Sequence, residues 1–96
     1  MTAVDVNIKE FSSEIGINQD ELVRQSLLLF IWSKLKDVKF ELYSLQKKYH
    51  VNTVFEFEKL YETGKIEETD TFTDYQKFDR LSYEQELFEK FIKKLS

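Results

Sequence analysis

The chain has no proline and no cysteine, and only two glycines, Gly16 and Gly64. Proline and glycine interrupt helices, so their scarcity across 96 residues favours long ones. Without cysteine there is no disulfide, no thiolate zinc site and no cysteine nucleophile. The glycines stand 48 positions apart, which excludes a glycine-rich phosphate loop. Histidine occurs once, at His50. The longest apolar run, Leu27–Trp32, is six residues, far short of the ~18 that suggest a membrane span. No signal-peptide pattern is visible. These absences lead to the expectation of a soluble, cytoplasmic protein with no membrane association.

What is present is aromatic and charged. Phe, Tyr and Trp make up 16% of the chain, and the net charge is −4. Such rings fill cores and also anchor interfaces. One domain, residues 1–96, is the most this length allows. Its core is small enough that an oligomer or a bound partner is expected. The charge is uneven. Residues 1–51 carry seven basic and seven acidic side chains, whereas residues 52–96 carry seven basic and eleven acidic. An acidic second half repels phosphate and suits a basic partner.

The hydrophobic spacing is mostly helical. "TAVDVNI" is the exception: Val4, Val6 and Ile8 alternate with polar residues, which reads as a short N-terminal strand over residues 2–8. A frayed tail explains so short a stretch almost as well. Ile8, Phe11 and Ile15 then outline a short helix closed by Gly16 in a left-handed position. Asn18 with Glu21 has capping-box spacing and opens a long helix, about Gln19–His50. Within it Leu28, Ile31, Leu35, Val38, Leu42, Leu45 and Tyr49 alternate three and four apart, a coiled-coil seam that needs a partner helix from this chain or another. Leu22, Val23, Leu27, Leu29, Phe30 and Trp32 make its first turns apolar almost all round, so burial on more than one side is expected. Phe40 and Tyr43 lie off the seam in a narrower stripe.

Thr53 with Glu56 repeats the capping-box pattern and starts a third helix that ends at Gly64. "KIEETDT" reads as an acidic loop. The last helix is expected over about Asp74–Leu95, with a second seam of Phe78, Leu81, Gln85, Phe88, Ile92 and Leu95; Ser82 with Gln85 could cap a fresh helix, which leaves open whether it breaks there.

No catalytic constellation, metal site or cofactor site is expected, and the protein does not read as an enzyme. His50 near a helix end fits a structural role better than a catalytic one. Pairing it with Glu56 or Glu58 as a metal site has little to recommend it. Glu67, Glu68, Asp70 and Asp74 lack calcium-loop spacing. The lysines Lys34, Lys36, Lys39, Lys47 and Lys48 are interleaved with Asp37 and Glu41, which suits a solvated helix face better than a nucleic-acid groove.

"EIGINQDELVRQSLLLFI", Glu14–Ile31, resembles the turn and second helix of the ribbon–helix–helix family. The resemblance covers residues 2–32 and implies paired strands in the DNA major groove. Ala3, Asp5 and Asn7 would face the bases, and Asn7, Lys9 and Arg24 would be the contacting residues. The sequence departs from that pattern at Asp5, which would repel phosphate. The same Gly-Ile-Asn turn occurs in helix-turn-helix proteins. "LQKKYHVNTVFEFEKLYETGKIEETDTFTDYQKFDRL", Leu45–Leu81, resembles a group of small prokaryotic antitoxins from toxin–antitoxin pairs. Lys48, Tyr49, Val51, Phe55, Phe57, Glu58, Gly64, Asp74 and Tyr75 carry that likeness, and His50 stands where the group has glycine. This second resemblance implies a non-enzymatic protein that binds and masks a toxin, often while dimerising.

The expectation is therefore an all-α chain, a helical homodimer, in which the long helix packs against the C-terminal helix, joined by short helices, with the Leu28–Tyr49 seam either dimerising two chains or packing within one. Residues 52–96 would form the acidic partner-binding part, with Phe57, Tyr61, Glu67, Glu68, Asp70, Phe72, Asp74 and Tyr75 meeting a small basic toxin. Weak autoregulatory DNA binding would accompany this. A DNA-binding regulator of ribbon–helix–helix or helix-turn-helix type, and a purely structural helical adaptor, are the competing readings.

Overall fold

The computed structural model describes residues 3–96, with side chains from Asn7 onward. Four helices occur in order: α1 (Ala3–Ile15), α2 (Gln19–Tyr49), α3 (Val54–Glu62) and α4 (Glu68–Leu95). None is long and apolar enough to cross a membrane. The radius of gyration is 19.5 Å and the extents are 61 × 25 × 17 Å. A compact chain of this length would have a radius near ~12–13 Å, so the molecule is a rod. Its axis is set by α2, whose 31 residues span ~46 Å.

The rod is a hairpin. α4 folds back along α2, with α3 filling the bend and α1 packed at the open end. The seam of α2 is used within the chain: Ile31, Leu35, Val38, Leu42 and Leu45 are buried, and Leu28 and Tyr49 are half-buried at its ends. Across it Phe78 and Leu81 of α4 are buried, and Gln85, Phe88, Ile92 and Leu95 are half-buried. Because α4 occupies this face, a dimer cannot also be built on the buried part of the seam.

Local chemistry explains where each helix stops. The Asn18 side chain accepts from the amides of Asp20 (2.8 Å) and Glu21 (3.3 Å), removing two of the unpaired donors at the start of α2. The reciprocal half of the box is missing there, because the Glu21 carboxylate binds Arg24 and Gln25 instead. At α3 both halves form: Thr53 Oγ1 accepts from the Glu56 amide, and the Glu56 carboxylate accepts from the amides of Asn52 and Thr53. Left-handed residues end three helices. Gly16 and Gly64 each have φ near +72°, and His50 takes φ 56°, ψ 44°. The bend that the antitoxin-like pattern assigns to glycine is made here by histidine.

Several expectations are corrected. The N-terminal strand is absent among the described residues: Ala3–Ile15 is helix, and Thr2 lies outside them. Ala3, Asp5 and Asn7 are therefore not the outward face of a ribbon. Val4, Ile8, Phe11 and Ile15 also fit helical spacing, and a lone strand would leave unpaired the backbone groups that a helix satisfies internally. α4 begins at Glu68 rather than Asp74, so most of "EETDT" is helix, with Glu68 and Asp70 at the favourable positive end. It runs unbroken through Ser82.

Candidate functional site

The eight residues expected to meet a partner divide into two groups. Phe57, Tyr61, Asp74 and Tyr75 are engaged inside the bend, whereas Glu67, Glu68, Asp70 and Phe72 face solvent.

Phe57 is fully enclosed. Its ring centroid lies 4.5 Å from Tyr49, 5.5 Å from Tyr75, 5.6 Å from Phe78 and 5.7 Å from Tyr61. The amphipathic spacing of Val54, Phe57 and Tyr61 marks a buried face without saying what buries it. The answer is the chain's own α2 and α4, which corrects the expectation that Phe57 meets a partner.

Polar links close the shell around these rings. Asp74 Oδ2 accepts from Lys48 Nζ (2.8 Å) and from the Tyr49 hydroxyl (2.6 Å). Those two bonds, Lys48's first, hold the Asp74 carboxyl below its ordinary range. Burial, reinforced by the bond to Asp74, pushes the Tyr49 phenol up. The Tyr75 hydroxyl donates to Glu58 Oε1. That bond, with burial behind it, raises the Tyr75 phenol to about 12. Thr71 Oγ1 donates to the Glu67 carbonyl (2.8 Å) and lies 2.7 Å from the Tyr61 hydroxyl. Each buried phenol thus keeps a polar partner, as rings with a polar tip require. The partnership of Glu58 with Tyr75 left no trace in the sequence, since it spans 17 positions and two helices.

The solvent-facing group is different. Glu67, Glu68 and Asp70 are exposed and make no ion pair among the described residues. Phe72 stands beside them, 44% exposed and stacked on Tyr75 at 6.5 Å. A further acidic surface, unforeseen from the sequence, is a groove of about 600 Å³ between α2, α3 and α4. Asp79, Glu86 and Glu89 line it, Glu89 within 4.0 Å of Lys39 on α2, and Phe55 and Tyr83 stand exposed at its sides. Helical spacing sets Asp79, Tyr83, Glu86 and Glu89 on one face of α4, and the tertiary fold adds Phe55 from α3.

The residues expected to touch DNA differ in what engages them. Asn7 and Lys9 are exposed on α1. Arg24 is occupied: Nε and Nη2 bind the Glu21 carboxylate, and Nη1 donates to the Leu95 carbonyl at 2.8 Å. The Arg24 fork, with the Gln25 amide, brings the Glu21 carboxyl down to about 2. Arg24 therefore ties the start of α2 to the end of α4. His50 serves as the left-handed cap of α2, and among the described residues no group of three or more His, Asp or Glu is placed to hold a metal ion.

Fold and site together define an all-α helical hairpin with a closed aromatic bend and an acidic, ring-bearing outer surface. A family model described as "Uncharacterized protein MJ0235 family" matches residues 1–96, and the chain belongs to that family. No curated protein and no solved structure matches it.

Proposed function

We propose that this chain is a non-enzymatic, cytoplasmic, antitoxin-like interaction protein whose acidic surface docks onto a small basic protein and masks it. One observation carries the reading: Glu67, Glu68 and Asp70 stand exposed, free of internal ion pairs among the described residues, around the half-open ring of Phe72. Acids of one sign speed encounter with an oppositely charged partner. An aromatic ring among them supplies the buried anchor on which most interface energy concentrates. A nuclease toxin, which must itself present a basic face to RNA, has the complementary chemistry. The groove lined by Asp79, Glu86 and Glu89 extends the same charge along the rod.

The test compares the wild type with a Glu67→Lys, Glu68→Lys, Asp70→Lys variant as baits in extract of the source cell at moderate salt. The expected result is one small basic protein held stoichiometrically by the wild type and lost by the variant. Association with the purified partner should then slow with added salt, and the variant should associate at least ~10-fold more slowly at low salt. Equal retention by both baits, or retention of genomic DNA in place of a protein, would overturn the reading.

A further inference from the structure

α2 is apolar on three sides: the hairpin covers one, α1 shields a second only in part, and the third is open. α4 covers the seam, and α1 leans on Leu22, Val23 and Leu27 across an apolar groove. The third side is bare: Leu29 is 72% exposed, Trp32 53%, Phe40 73% and Tyr43 56%. With Lys36 between Trp32 and Phe40, these positions are spaced three, four, four and three residues apart. At ~100° per residue they share an arc of roughly 80°, centred about 130° round α2 from the seam. A helix apolar this far round is normally buried all round.

The area can be compared with what a dimer needs. Taking ~200 Å² for a whole large apolar side chain, the four exposures leave roughly 500 Å² uncovered. A standard interface takes ~800 Å² from each partner, of which about 56–65% is apolar. The stripe therefore supplies the apolar share of one side by itself.

We propose that this stripe is covered by α2 of a second copy of this chain, antiparallel, about a two-fold axis at Lys36. The spacing about Lys36 reads the same in both directions. A reversed copy therefore sets Leu29 against the second copy's Tyr43, and Trp32 against its Phe40. Such self-complementarity is what a two-fold interface requires. Net charge does not oppose the same occupant. Residues 1–51 have no net charge, while the −4 lies in residues 52–96, and antiparallel pairing sends the two acidic bends to opposite ends of the dimer. The lysines Lys36 and Lys47 along the stripe disfavour the basic protein assigned to the acidic surface, so the two surfaces take different occupants. Lys36 lies at the axis, where its stem can cover apolar surface while its ammonium reaches water.

Trp32 is the only tryptophan and the chain has no cysteine, which makes the test direct. Sedimentation equilibrium and Trp32 emission are tracked together from ~1 to ~100 μM, a range that brackets micromolar association. Two-chain mass is expected at the upper end, with emission shifting to the blue as the dimer forms. Phe40→Glu should raise the dissociation constant at least ~30-fold and keep the circular dichroism of the monomer, because that ring lies outside the hairpin core. Tyr83→Glu, at an exposed ring of α4 away from the stripe, should leave the dimer intact. Under mild oxidation, Leu29→Cys mixed with Tyr43→Cys should cross-link faster than either variant alone. A single-chain mass throughout, with Trp32 emission staying red, would leave the stripe to a different protein and overturn the proposal. A dimer that survives Phe40→Glu, or in which Leu29→Cys cross-links best to itself, would overturn it as well.

Discussion

His50 gives the sharpest test of how the bend is made. The chain ends α1, α2 and α3 on left-handed residues, and in each case the next amide reaches back to the carbonyl five positions earlier: Ile17 to Ser12 (3.0 Å), Val51 to Gln46 (3.1 Å) and Lys65 to Leu60 (3.0 Å). The geometry is shared, but glycine supplies it twice and histidine once. A residue with a Cβ loses roughly 1–2 kcal/mol in this conformation. Glycine avoids that loss but gives back roughly 0.5–1 kcal/mol in unfolded-chain entropy. His50 is exposed, so little packing is lost with its ring. His50→Gly should therefore stabilise by about 0.5–1 kcal/mol, raising Tm by roughly 4 °C at ~4–8 °C per kcal/mol for a domain of this size. The opposite sign is expected at the glycines. Nothing lies within 4 Å of a Cβ built on Gly16 or Gly64, so the loss in Gly16→Ala or Gly64→Ala is conformational and about 1 kcal/mol each. Thermal melts read by circular dichroism at one protein concentration, together with urea curves of unchanged slope, would measure all three. An unchanged or lower Tm for His50→Gly, with both glycine variants harmless, would refute the left-handed account of these three turns.

The bend core yields further expectations. Phe57→Ala removes the most enclosed ring and should cost about 3–5 kcal/mol, a large part of the ~5–15 kcal/mol available to a natural domain; Phe72→Ala should cost under ~1 kcal/mol in urea unfolding, since that ring is half open. Asp74 has its carboxyl lowered in the fold, so its contribution is full above the ordinary value of 3.8 and lost as pH falls through the folded value. Asp74→Asn should flatten that acid-side loss of stability, read as Tm against pH. Tyr75 has the opposite sign: its phenol rises from 10.0 to about 12, so its contribution is full below pH 10 and lost between pH 10 and 12. Ultraviolet absorbance titration should show Tyr49 and Tyr75 ionising above the ordinary range, and Tyr75→Phe should remove the step near 12 while leaving that of Tyr49.

Features settled by near neighbours were legible in the sequence, and features settled by distant ones were not. The caps at Asn18 and Thr53 rest on bonds to amides two or three residues away. The seam of α2 was legible because its three-and-four spacing admits one face. The first turns of α1 were not, because Val4, Val6 and Ile8 satisfy a strand period while Val4, Ile8, Phe11 and Ile15 satisfy a helical one. A pairing strand would have been needed to favour the former. The start of α4 was hidden because Glu68–Thr71 has no apolar period, and its helicity rests on charge at the helix end and on continuity with the amphipathic turns from Phe72 onward. Candidate binding rings were overcounted for a related reason. Periodicity says that Phe57, Tyr61 and Tyr75 seek burial, and a chain that can bend back supplies its own partner before any other protein does.

The two ends of the rod are held together by different means, and the proposed partners differ accordingly. At the bend, Lys48–Asp74, Tyr49–Asp74, Tyr75–Glu58 and the Tyr61–Thr71 contact enclose five mutually packed rings. Most apolar surface there is already buried, with Phe55 and Phe72 left open, so the bend presents mainly charge outward, which acts on the rate and choice of encounter. At the open end Arg24 reaches the Leu95 carbonyl, while Phe11, Leu27, Leu29, Phe30 and Trp32 remain exposed. That end offers apolar area, which acts on the strength of association. The uncovered rings there have two-fold spacing and suit a copy of itself, with only Lys36 meeting its own equivalent at the axis, whereas like charges across a whole surface oppose approach. The acidic bend cannot pair with itself for that reason, and is left free for a partner of opposite sign.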